Sequence, residues 1–239
     1  MKNYPRTFLF LFIIIALFWG PNAMAIEYRG FLDDLAHEFF RKGDVDGVIG
    51  KLLVLEEEYK GNNDFLNLVA LAEIEVFRGE VKRAAELGSP EKHFEKALEL
   101  ARKALEIRES GRANRLAGEA LSHLFDYRGV FFIIRNGGAA RDYLEKALEM
   151  EDDIYMTQFI RGNYLINAPK IGGGDLEGGI KIFEEIYSQG HPVFNFLILK
   201  LKFDLAQNGK ISGSPEEFLE KARDIFPESP WLEKFFKEN

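Results

Sequence analysis

Cysteine is absent, which removes disulfides, zinc-thiolate sites, a thiol nucleophile and an N-terminal lipidated cysteine together. Positive charge is also in short supply: 31 Lys and Arg stand against 39 Asp and Glu, for a net charge of −8. Such a chain does not displace counterions from nucleic acid and does not adsorb to anionic lipid. The four histidines, His37, His93, His123 and His191, never fall three or four apart, so no helical metal site is expected. No G-x-S-x-G is present, and the Gly172-Gly173-Gly174 run lacks the Lys-Ser/Thr of a phosphate loop. Acidic pairs such as Asp33-Asp34 and Glu184-Glu185 are neighbours in sequence, not groups set across a cleft. No catalytic residue, metal or cofactor is therefore expected, and the chain reads as a non-enzyme.

The long apolar run that does occur stands at the start. Lys2 and Arg6 precede an uncharged stretch from Thr7 to Trp19, and Ala23-Met24-Ala25 closes it. These are the parts of a secretory signal peptide, 1–25, cut after Ala25. The run is short of the roughly 20 residues that span a bilayer. Cleavage leaves 214 of 239 residues and takes two bases and no acid, moving the charge from −8 to −10. A periplasmic or secreted protein with no stable membrane anchor is expected. Phenylalanine is abundant, at 22 residues, and calls for a large core or an apolar groove.

The remaining chain repeats itself. Glu95 to Leu105, Tyr143 to Leu148, Ile182 to Ile186 and Phe218 to Arg223 share one pattern, and their anchors Ala104, Ala147, Ile186 and Ala222 lie 43, 39 and 36 residues apart. A poorer copy runs from Val48 to Leu55. Apolar residues at three- and four-residue steps with Glu, Lys and Ala between them predict helices. Ser89-Pro90 and Ser214-Pro215 mark starts, Ser214 and Glu217 have capping-box spacing, and Asp44 and Asp175 are candidate caps. Longer apolar segments alternate with the copies: 31–41, 64–78, 112–135, 153–166 and 193–207. Leu199 to Leu205 alternates with period two and Gly129 to Ile134 is rich in β-formers, but a lone strand would have nothing to pair with. The expected fold is all-α: five antiparallel helix pairs and a C-terminal capping helix near Trp231 to Phe236. The repeats are divergent over 26–88 and clearer over 89–239.

These residues resemble tetratricopeptide-type repeats. The small–large–small spacing of the second helix is present as Ala97, Ala101, Ala104; as Ala140, Leu144, Ala147; as Gly179, Phe183, Ile186; and as Pro215, Leu219, Ala222. Gly118 and Gly162 fit the small position of the first helix. The run from Gly162 through Ala168-Pro169-Lys170 to Gly173-Gly174-Asp175 is similar to an element of exported bacterial tetratricopeptide-like proteins. These include the helical partner proteins of TRAP-type transporters, although this chain has no cysteine to acylate. The resemblance implies an α-solenoid whose first helices line a concave binding face, with a periplasmic transporter subunit among its possible partners.

With Gly162 and Gly118 at close-packed positions, helical spacing puts Met156, Phe159, Asn163 and Asn167 on that face. It adds Arg115 and His123, with Tyr127 and Arg128 further along. Met156 and Phe159 fit a core position equally well. Apolar residues with Arg and Asn among them suit a peptide carboxylate or an amphiphile headgroup. Two functions follow: a scaffold that binds a peptide or protein partner on the concave face, or a carrier of a small hydrophobic molecule or lipid beside a transport system. An open polar trough favours the first, and a closed apolar cavity the second.

Overall fold

The computed structural model describes residues 21–150 and 154–237. Most of the expected signal peptide, residues 1–20, lies outside them, and 21–25 open the backbone of the first helix. The described residues form helices and turns, with no strand among them. The helices are α1 (Pro21–Lys42), α2 (Val45–Tyr59), α3 (Phe65–Ala85), α4 (Pro90–Ile107) and α5 (Gly111–Glu149). They continue with α6 (Ile154–Asn167), α7 (Leu176–Tyr187), α8 (Pro192–Gln207), α9 (Pro215–Ile225) and α10 (Trp231–Phe235). The period-two segment from Leu199 to Leu205 lies within α8, where each residue bonds locally instead of seeking a strand partner.

Side-chain oxygens start many of these helices. Asp44, Asp64 and Asp175 accept from the backbone N–H of Gly47, Asn67 and Gly178 at 2.9, 2.9 and 3.1 Å. Ser214 caps through the N–H of Glu216 at 3.2 Å, while Glu217 pairs with Lys221, so the expected capping box does not form. Ser89 makes no side-chain cap bond, and Pro90 alone marks that start. The break expected after Arg135 falls earlier, at Gly129, whose φ of 71° and ψ of 177° lie outside the helical region. A residue with Cβ rarely adopts that conformation, so the glycine sets the turn between the two halves of α5.

Consecutive helices pack on one another: α3 on α4, α4 on α5, α6 on α7 and α8 on α9. Ala97, Ala101 and Ala104 are fully buried, as are Ala140 and Ala147 on either side of Leu144. Small side chains there let backbones approach. In α9 the buried partner of Ala222 is Phe218, one residue before the expected Leu219. Tyr164 ties the Ala168 to Gly174 loop to α5, donating its hydroxyl toward the carbonyls of Gly137 and Gly172.

The two ends of the chain meet. One core cluster joins Leu35 and Phe39 of α1 to Phe196 and Phe203 of α8, Ala222 of α9 and Trp231 of α10. The Trp231 indole N–H donates to the Phe39 carbonyl at 2.7 Å, and the Ser229 hydroxyl donates to that of Phe40. Gly43, at φ 68°, lies against Pro230, where a Cβ would come within 2.3 Å of the ring. The last described helix therefore packs against the first.

Candidate functional site: a central cavity

A cavity of about 570 Å³ lies between these helices. Its walls come from α1, α3, the first half of α5, α6 and α8, the first helix of each successive pair, with α10 and Phe183 of α7 completing them. A volume of that size suits a small molecule with an apolar body.

The walls differ in character. Phe39 and Phe40 of α1, Met156 and Phe159 of α6, and Phe194 and Leu197 of α8 make an apolar side. The junction of α3 and α5 is charged. Arg115 is only 2% exposed, and its guanidinium donates to Glu73 at 2.5 Å and to Glu119 at 3.1 Å. Arg112 also donates to Glu73. Arg83 holds both carboxylate oxygens of Glu80 at 2.9 Å and reaches Asp126 at 3.1 Å. His123 stacks on Phe94 with centroids 4.5 Å apart and sets Nε2 2.7 Å from Glu80.

This arrangement separates three carboxyls of that wall electrostatically. Burial pushes Glu73 upward, but Arg112 and Arg115 outweigh it and hold the group at about 2. Burial acts on Glu80 in the same way, and Arg83 with His123 brings it well below the usual carboxylate range. Glu119 goes the other way. Burial raises it, Arg115 and His123 oppose, and the like charges of Glu80 and Glu73 add to the rise. The difference lies in the cations that oppose burial: Glu73 has Arg112 and a share of Arg115, whereas Glu119 has the rest of Arg115 and His123 against the charges of Glu80 and Glu73.

Five of the eight residues expected on the concave face line the cavity: Arg115, His123, Met156, Phe159 and Asn163. The other three stand elsewhere. Tyr127 is 37% exposed beyond Phe94, and Arg128 pairs outward with Glu91 and Glu95 of α4. Asn167 is exposed, its amide donating to the Asn163 carbonyl at 3.0 Å and to Oδ1 at 2.8 Å. The acids and Arg83 of α3 were not foreseen. Their signal is present in the sequence, since Glu73 and Glu80 interrupt an apolar helix two turns apart. Among the described residues no group of His, Asp and Glu could hold a metal ion, and no helix is long and apolar enough to cross a membrane.

Comparison with family models, curated proteins and solved structures finds no match. The cavity has to be read from its own residues.

Proposed function

We propose that the protein is an exported, non-catalytic carrier, a curved stack of tetratricopeptide-like helix pairs that holds a small amphiphilic molecule. The observation that carries this reading is the meeting of α1 with α10 through Trp231, Ser229 and Pro230. The helices line a cavity of about 570 Å³ with an aromatic side and a charged side, which a compact amphiphile fits better than an extended peptide. The charged groups are engaged with one another, which suits orienting a ligand better than transforming it. Export rests on the basic, apolar and Ala-x-Ala order of residues 1–25. Delivery to a transporter subunit is the role that the repeat resemblance implies.

Native mass spectrometry of protein purified without detergent tests the reading, together with displacement of a neutral hydrophobic fluorophore. Ala84→Trp, which fills the cavity lining, should reduce fluorophore binding, whereas Val54→Trp on the outer face of α2 should not. The carrier reading fails if no small molecule co-purifies and both variants bind the fluorophore as the parent does. A peptide-binding scaffold would then be the better account.

A further inference from the structure

The charged wall says what kind of headgroup the cavity takes. Six carboxylates line it against four Lys and Arg, so the lining is net negative. Its cations are already engaged. Lys200 pairs with Asp204 along α8, and Lys234 with Glu86 at 3.3 Å. Arg83 grips Glu80, while Arg115 spans Glu73 and Glu119. An anionic head would compete with Glu73, Glu80 and Glu119 for the same guanidinium groups and would face Glu80 and Glu119 as like charges. A cation placed beside Glu119 breaks none and supplies the charge that Arg115 divides between two acids.

We propose that the occupant is a cationic amphiphile, an apolar body with an amine, whose head lies against Glu119 and whose body runs along the side formed by α1, α6 and α8. This rests on the carrier reading above.

The position of Glu119 couples such binding to protons. The other titratable and charged groups facing it are Glu73 and Glu80 from α3 and Arg115 and His123 from α5, with Arg83 of α3 on the same lining. From α6 the cavity receives Asn163 and Met156, neither charged; Asp33 of α1 and the Lys200–Asp204 pair stand on other walls. Burial favours the neutral carboxyl, and an ammonium favours the carboxylate. An arriving amine therefore expels a proton whenever Glu119 is protonated, and its affinity rises with pH through the titration of Glu119.

The test uses the full chain with dodecylamine, dodecanol and dodecanoate, each displacing the same neutral fluorophore, at two pH values bracketing the titration. The amine should bind roughly tenfold more tightly than the alcohol, the carboxylate more weakly, and the amine preference should grow with pH. Calorimetry in two buffers of different ionisation enthalpy should show proton release. Glu119→Gln, folded by circular dichroism, should bind amine and alcohol alike and release no proton. A carboxylate bound as tightly as the amine overturns the inference, and so does amine preference or pH dependence that persists in Glu119→Gln, which would point to His123. If the alcohol binds and the amine gains nothing, this inference alone is lost. If none of the three binds, the carrier reading falls with it.

Discussion

Gly79, Gly118 and Gly162 occupy the same place in three successive helix pairs, where a Cβ would strike a side chain of the facing helix. The contacts would be 2.6 Å to Phe94, 2.8 Å to Leu144 and 2.8 Å to Phe183. At Gly162 the facing backbone is close as well, since the Gly162 carbonyl stands 2.9 Å from where a Cβ on Gly179 would be. Neither backbone can retreat without moving the other. Gly162→Leu should therefore destabilise the protein by about 1–3 kcal/mol, the usual range for overpacking, read as a lowered melting temperature. Phe183→Leu in the same chain should return part of that loss, since the ring is the atom group in the way. A melt unchanged by the single substitution would mean that the α6–α7 contact lies elsewhere. Gly118 and Gly162 could be singled out from the repeat spacing; Gly79 could not, because the copies before residue 89 have drifted too far to set a register.

Among the elements, α10 has an influence out of proportion to its five residues. Its Trp231 reaches back to the Phe39 carbonyl, and the residues concerned are 192 apart in sequence. Trp231→Phe keeps most of the apolar packing and removes the indole donor. The Phe39 carbonyl keeps the Gly43 N–H at 2.9 Å, so the change removes one of its two hydrogen bonds, at a cost of about 0.5–1.5 kcal/mol. Hydrogen exchange should quicken in α1 and α10 while α4 stays protected; uniform quickening would show that the seam is not a separate unit. Farther along, Arg78 staples α2 to α3, donating to Glu75 at 3.2 Å, to the Leu52 carbonyl at 3.3 Å and to Glu56 at 2.7 Å. Breaking this buried set with Arg78→Ala should destabilise by about 3–5 kcal/mol in a chemical denaturation series, and a loss below 1 kcal/mol would count against it. Helices of this kind could be read from local signals: apolar steps, Asp caps and prolines in first turns. The turn at Gly129 was misplaced because α-favouring and β-favouring residues follow it without a polar break.

At the scale of the whole molecule, local periodicity carries no information about closure. The helical class and the C-terminal helix could be foreseen, and five residues expected on one face, Arg115, His123, Met156, Phe159 and Asn163, do line the cavity. The contribution of α1, α8 and α10 to one cavity depends on long-range packing, which no single helix encodes. Closure also brings opposed electrostatic contributions together, and stability should record both as pH changes. Glu73 sits at about 2 against an ordinary 4.5, so its ion pairs contribute stability that is complete above 4.5 and is lost as pH falls toward 2. Glu75 and Glu80, also lowered, act in the same direction. Glu119, raised by burial, acts oppositely: the folded state holds its proton more tightly, so stability declines as pH rises from the ordinary carboxylate value through the raised one. Melting temperature should thus climb out of the acid range, reach a maximum and then fall modestly as pH rises through the raised titration of Glu119. Glu119→Gln mimics the protonated group, so it should leave the acid limb in place and remove that decline, melting above the parent once Glu119 has titrated. If the variant instead melts below the parent there, the Arg115–Glu119 bond outweighs the cost of burying that charge.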